Sequence, residues 1–217
     1  VHRGSIHPLL DEWLCRVSEQ YPGQVLIRRK QGNQIARQRN MVVEALHGDW
    51  CLFVDSDVVP PVGALERLVD DVVGHLVRRA LPIIGGVYYE RAPVSQTPGG
   101  VAIFPVAATR EGRKLLDDDV LPANGVIPVD TVGAGCLMIA RAVFEAMPSP
   151  WFRCGQLDPE YLDEDSEFCL RAASLGFSTW LDCTVRCGHA VLGIAWPGRD
   201  GRRWIEWPGP IDCREPQ

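Results

Sequence analysis

Asp55 and Asp57 stand one residue apart at the end of the apolar run CLFVDSD, and a second acidic group, Asp163, Glu164 and Asp165, opens the stretch DEDSEFCLRAAS. Two acids spaced i, i+2 at the bend that ends a strand can approach one ligand together, and a hard divalent cation is the natural partner for them. Such a cation can neutralise the two phosphates of a nucleotide diphosphate leaving group, a Lewis-acid role that moves no proton. The same spacing also arises in an ordinary turn whose aspartate caps the next helix. The acidic triple has two readings as well: acids in the first turn of a helix meet the positive end of its dipole, and one of them can take the proton from an attacking hydroxyl. His189 is a lone histidine, a type that packs or faces solvent as readily as it ligates; as a ligand it suits manganese better than magnesium.

The elements that must position these groups follow from pattern and punctuation. SIHPLLDEWLCRVSEQ has helical spacing at Leu9, Leu10, Trp13, Leu14 and Val17, and Tyr21-Pro22-Gly23 stops it. QVLIRR reads as a short strand. Asn33 can cap a helix through IARQRNMVVEALHG, closed by Gly48. WCLFVDSD is a buried strand, PPVGALERLVDDVVGHLVRRA a helix opened by prolines, and PIIGGVYY the next strand. From Glu90 to about Pro128 the pattern loosens around the strand VAIFPV, as in a variable insertion. VIPVDTVGAGCLMIARAVFEAM gives strand, Gly-rich turn, strand and short helix, and YLDEDSEFCLRAASLGFSTWLDCTVRCGHA gives helix, Gly turn and one or two strands. This alternation predicts an α/β fold, a three-layer αβα sandwich around a mostly parallel central sheet, in which ligands sit at the carboxyl ends of the strands. Asp55 and Asp57 lie at such an end.

Composition limits the function classes. The chain has 217 residues, 46% of them apolar, and a formal charge of −6. That suffices for one domain with a sizeable core, and the acidity argues against holding nucleic acid through bulk positive charge. No apolar run approaches the roughly 20 residues a membrane-spanning helix needs, and VHRGSIHPLL lacks an apolar signal core, so a cytoplasmic location is expected. The eight cysteines form no CxxC pair and read as buried free thiols, with Cys183 and Cys187 close enough to His189 to raise a zinc site as a minor option.

Taken in order, the motifs IARQRN, FVDSD, GGVYY, VGAGCLMIAR and EDSEFCLRAASLG, with the strand that leads to His189, resemble the glycosyltransferase family 2 group with its GT-A (Rossmann-like) fold, over roughly residues 5–190. The compact layout looks more like phage or bacterial stand-alone enzymes than membrane-tethered synthases. The resemblance implies one GT-A domain over 1–217, with a nucleotide-binding half at 1–90, an acceptor and catalytic half at 91–192, and a C-terminal tail or flap at 193–217. It implies a metal-dependent, inverting transfer of a sugar from a nucleotide-diphosphate sugar, UDP favoured, to an acceptor hydroxyl, with Mn²⁺ or Mg²⁺ as cofactor. By the same resemblance Asp57 ligates the metal directly, Asp55 contacts the ribose or the metal through water, and His189 is a further metal ligand. Asp165 is the expected general base and Glu164 its competitor or an acceptor-binding group. Arg37 and Asn40, with Arg39 beside them, fall where the family lines the nucleotide pocket. Of Tyr88 and Tyr89, one faces the donor or acceptor and the other the core, and Gly133 and Gly135 allow close approach of the sugar.

Two departures from the family pattern bear on the donor. The apolar first strand is represented only by Val1-His2-Arg3-Gly4, and the second strand ends in Arg28-Arg29-Lys30 where the family has an acid for the base. A nucleotidyltransferase using the same carboxylates, and a non-catalytic module that binds sugar nucleotides or nucleic acid, are the competing classes; the first lacks a glycine-rich basic phosphate loop. The acceptor stays open among polysaccharide, protein, small molecule and a modified base in phage DNA, the last encouraged by the basic triplet and by Arg199, Arg202, Arg203 and Trp204 in a tail that also holds Trp196 and Trp207.

Overall fold

The computed structural model describes residues 6–30, 34–74, 82–93, 101–108, 121–153, 163–190, 194–197 and 203–206. Helix α1 (Pro8–Gln20) starts with proline at a position that needs no backbone donor, and the His7 ring caps it by accepting from Leu9 N at 3.3 Å. Leu10, Trp13 and Val17 form its buried face. Helix α2 (Ile35–Glu44) leads into strand β1 (Trp50–Val54), where alternation buries Cys51 and Phe53. The two-residue strand β2 (Val58–Val59) precedes α3 (Ala64–Gly74) and β3 (Ile83–Val87), whose five residues are all buried. Then come β4 (Tyr89–Pro93), β5 (Val101–Pro105), β6 (Ala107–Ala108), β7 (Val126–Val129), β8 (Thr131–Val132) and β9 (Cys136–Ala140). The last part holds α4 (Arg141–Ala146), α5 (Glu164–Ser174), β10 (Thr179–Arg186), β11 (Gly188–Ala190), β12 (Ile194–Pro197) and β13 (Arg203–Glu206).

The central five-stranded sheet has the order β1-β9-β3-β10-β7. Strand β9 runs antiparallel to both β1 and β3, β3 pairs parallel with β10, and β10 pairs antiparallel with β7. Strands β1, β3 and β10 therefore share one direction, as a doubly wound sheet requires, while β7 and β9 run against them. The α/β class is the expected one, and the mostly parallel sheet becomes a mixed one because β9, from the second half of the chain, inserts between β1 and β3 of the first. Its apolar residues are buried on both faces: Leu137 and Ile139 join one core cluster, Cys136 and Met138 the other.

A second sheet, β13-β12-β11-β2, carries the site geometry. Residues 194–197 and 203–206 of the tail form an antiparallel pair, with Trp196 and Trp204 as register partners, and extend this sheet from β11. Trp207 and the rest of the tail beyond Glu206 lie outside the described residues.

Three local expectations are corrected. Val25–Lys30 is not a strand: its side chains alternate half-buried and exposed, but no described strand pairs with it, and it is tied to α1 through an Arg29–Asp11 ion pair of 2.6 Å. Helix α2 is capped at Gln34 without a side-chain hydrogen bond and ends at Glu44; Asn33 lies outside the described residues. PIIGGVYY breaks at Tyr88, where the chain leaves the central sheet to begin β4.

Where α3 packs on β10, two carboxylates meet. Asp182 is buried and accepts from Thr184 N and Oγ1, both at 2.7 Å, and Arg67 reaches the same hydroxyl at 2.9 Å. Asp71 Oδ2 is buried there without a hydrogen-bond donor, and two carboxylates can share a hydrogen bond only if one is protonated. Burial, then Asp182 and Asp70, push Asp71 up to about 7, with Arg67 opposing. The folded protein thus holds this proton more tightly than the unfolded chain, so the contribution is fully present below about pH 4 and is lost progressively as pH rises from there to about 7. Asp71→Asn should therefore melt above the wild type at pH 8, by about 1 kcal/mol after discounting for solvent, or roughly 2–4 °C, with less than half that gain at pH 5. A thermal scan at both pH values checks this; equal gains at both would refute the shared proton.

Candidate active site

Strand β1 ends in a turn that places the two acids differently. Asp55 N donates to Gly135 O at 3.1 Å, which extends the β1–β9 ladder by one residue, and Val58 N closes the turn on Asp55 O at 3.0 Å. The next residues pair with β11, in the register Val58↔His189 and Val59↔Gly188, and Ala190 N donates to Asp57 O at 2.7 Å. This pairing brings His189, distant in sequence, beside Asp57, with Nε2 3.5 Å from Asp57 Oδ2. The other ring nitrogen, Nδ1, is 2.7 Å from the Tyr89 carbonyl oxygen, and the Tyr88 ring meets the imidazole edge-on at 5.6 Å. A carbonyl oxygen can only accept, so Nδ1 carries a proton and Nε2 faces Asp57. Burial works against charge on both partners; their mutual hydrogen bond outweighs it, holding His189 above and Asp57 below their ordinary values.

Asp55 is committed elsewhere. Arg39, buried at 5% exposure on α2, reaches Asp55 Oδ1 through Nη2 at 3.2 Å. Its Nη1 donates to Glu164 Oε1 at 2.5 Å and to Asp165 Oδ1. One guanidinium therefore joins the end of β1 to the start of α5. Burial alone would lower the Arg39 pKa, but Asp165, Asp55 and Glu164 more than offset it and keep the group charged. Removing one member of a buried ion network of this kind commonly costs about 3–5 kcal/mol.

The acidic triple divides its labour. Asp163 caps α5, accepting from Ser166 N at 2.8 Å. Glu164 and Asp165 turn to Arg39, and Asp165 Oδ2 also accepts from Ala134 N at 2.8 Å. Burial pushes Asp165 up to about 7, with Arg39 and the Ala134 amide pulling against the rise.

The sequence-predicted residues fall into place unevenly. Asp55, Asp57, Tyr88, Asp165 and His189 line one cleft of ≈ 1940 Å³, which also borders α1, the 24–30 stretch, Gln38 and Arg39. Arg37 is exposed on another side of α2. Asn40 brackets Phe152, donating to its carbonyl at 2.8 Å and accepting from its amide at 3.0 Å. The Phe152 ring stacks on Phe168 at 4.7 Å and lies under Arg39, 5.7 Å from Cζ to the ring centroid. Gly133 and Gly135 do admit a ring, but the ring is Tyr88: its hydroxyl accepts from Gly135 N at 3.1 Å, and a Cβ on Gly135 would lie 2.6 Å from Tyr88 Cζ. Tyr89 is buried in the core. Asp55 is held by Arg39, so Asp57 and His189 stand as a pair, and among the described residues no group of three His, Cys, Asp or Glu gathers as a cation site. Cys183 and Cys187 are free and buried.

Arg39 and Phe152 are the residues that sequence reasoning undervalued. The signal for Arg39 was present: Ala36, Arg39 and Val43 share the helical spacing of the buried face, and Arg37 does not.

Comparisons with known proteins bear on the family and the fold. Residues 9–104 match the family model for Glycosyl transferase family 2. Polypeptide N-acetylgalactosaminyltransferase 5 of Mus musculus and that of Rattus norvegicus are 27% and 26% identical over 149 residues, 67% of this chain. The chain spans only 16% of the length of either relative. The crystal structure of A197 from STIV matches with a TM-score of 0.61 over 98% of this chain and 94% of that one, at 16% identity, a likeness of fold. Among the described residues no helix is long and apolar enough to cross a membrane. The chain thus has an α/β fold of the GT-A (Rossmann-like) kind, and over residues 9–104 it is similar to glycosyl transferase family 2.

Proposed function

We propose that the protein moves a sugar from a nucleotide-diphosphate sugar to an acceptor hydroxyl, with inversion, at the carboxyl end of β1. The observation that carries this reading is the meeting in one cleft of the Asp57–His189 pair with Asp165. Asp57 and His189 suit a divalent cation, Mn²⁺ or Mg²⁺: the Tyr89 carbonyl fixes the proton on Nδ1, so Nε2, on giving up the proton it shares with Asp57, would ligate beside that carboxylate. When bound, the cation offsets the charge of the departing diphosphate. Asp165 accepts the proton of the attacking hydroxyl; a pKa of about 7 suits a base working near neutrality. Asp55, beside Arg39, faces the ribose side of the donor, and Arg28 and Lys30 on the rim favour an anionic ligand. UDP is the favoured nucleotide, and UDP-N-acetylgalactosamine is the first donor to try, because the matched relatives are named for that sugar. The described cysteines are free thiols, all but Cys15 buried, which supports a reducing compartment such as the cytoplasm.

A melting-temperature panel of UDP, GDP, CMP and dTDP, each with and without Mn²⁺, tests the reading. One nucleoside diphosphate should raise the melting temperature, and Mn²⁺ should enlarge the rise, since a ligand specific to the native state stabilises it. A flat panel would remove the nucleotide site.

A further inference from the structure

The geometry points to Arg39 as a positioning residue: it holds Asp165 in place as a carboxylate and, through the same guanidinium, ties it to Asp55 at the end of β1. The inference rests on the reading of Asp165 as the base, and it concerns what makes that base usable.

Asp165 sits where an isolated carboxylate would take up a proton, at 8% exposure and against the buried residues of α5. Around it stand Arg39 from α2, Asp163 at the N-cap of α5, Glu164 and Cys169 from α5 and Tyr88 from the β3–β4 junction, while Asp55, just beyond β1, is reached through Arg39. Among these only Arg39 is positive, and the acids beside it all favour the protonated form. The Ala134 amide fixes one carboxylate oxygen and Arg39 the other, so both the orientation and the charge of Asp165 depend on this arginine.

Arg39 is itself held. The Phe152 ring lies against its guanidinium, and Asn40, the next residue along, pins Phe152 by two hydrogen bonds. The Arg-Asn pair in IARQRN thus acts as one device: Asn40 places the ring and the ring places Arg39. A planar guanidinium with several donors can serve Asp55, Glu164 and Asp165 together; a lysine ammonium is a compact charge that cannot span them.

The test reads Asp165 directly and needs no substrate. Protein labelled with ¹³C at the aspartate carboxyl carbon is titrated by NMR, with Asp165→Asn identifying the resonance, in wild type, Arg39→Lys and Arg39→Met. The Asp165 midpoint should rise by roughly one pH unit or more in Arg39→Met, the size of effect one opposite charge at contact has on a carboxylate, and by less in Arg39→Lys. If Arg39→Met does not fold, Arg39→Lys carries the test alone, still with an upward shift. A midpoint unmoved in the folded variants overturns the inference. Turnover is then followed against pH with UDP-N-acetylgalactosamine: the acid limb of the rate profile should move to higher pH in step with the NMR midpoint. A shifted midpoint with no turnover of any UDP-, GDP- or dTDP-sugar supports the Arg39–Asp165 linkage while refuting the transferase reading, so the two failures are distinct.

Discussion

Asp165→Asn is expected to lower kcat by roughly 10²–10⁴-fold while leaving nucleotide affinity nearly unchanged. The amide keeps the size of the carboxylate and can still accept from Ala134 N, but it cannot take a proton from an acceptor hydroxyl. Some of the ion network is lost, yet Arg39 keeps Asp55 and Glu164 as partners, so the fold should survive. The pH dependence has a definite sign. A carboxylate base works only when ionised, so wild-type kcat/KM should rise with pH through about 7, where burial places this group, and level off above it. Steady-state kinetics between pH 5 and 9, beside calorimetric titration of UDP with Mn²⁺, separate the two effects. Loss of nucleotide binding in Asp165→Asn would move this residue to the donor site. The same kinetic phenotype in Glu164→Gln, with Asp165→Asn active, would exchange their roles.

Asp57→Ala is expected to abolish transfer and to weaken Mn²⁺-dependent UDP binding by about 100-fold or more, since even the outer partners of a bound metal are each worth roughly 10–100-fold. The loss should be greater in the presence of Mn²⁺ than in EDTA, because what disappears is the counter-charge to the diphosphate. The fold should be little affected: the Asp57 backbone oxygen, which accepts from Ala190 N, remains and keeps β2 beside β11. Full activity in excess EDTA would contradict the metal's role. Nucleotide affinity that falls equally with and without Mn²⁺ would mean that Asp57 meets the nucleotide directly.

Particular residues show how far the sequence could be read. Strand β1 and the position of Asp55 and Asp57 at its end follow from one apolar run stopped by two acids, and α1 from the spacing of Leu10, Trp13 and Val17. Strand direction was not legible: nothing in CLMIA reveals that it runs backwards between β1 and β3, since a strand buried on both faces has the same pattern either way. QVLIRR alternates like a strand, yet alternation reports which side is buried and does not supply a hydrogen-bonding partner. The pairing of Asp57 with His189 depends on the two-residue strand β2, too short to leave a periodic signal. Gly133 and Gly135 signal close approach, and only the tertiary structure identifies the approaching group as the Tyr88 ring. Arg37 and Arg39 look alike in the motif; what separates them is the helix face, on which Arg39 joins Val43 and Arg37 does not.

The central claim, that this cleft transfers a sugar, is tested most directly by following nucleotide-sugar consumption by ¹H NMR with Mn²⁺ present and water as the only acceptor. With UDP-N-acetylgalactosamine, or another UDP-sugar if the pocket prefers one, the account predicts slow release of UDP and free sugar. Release should cease in EDTA and in Asp165→Asn, and the sugar should appear first as the anomer opposite to the donor's. Nucleotide binding without consumption of any UDP-, GDP- or dTDP-sugar, with or without added peptide, oligosaccharide or DNA, would contradict the account and leave a binding module in its place.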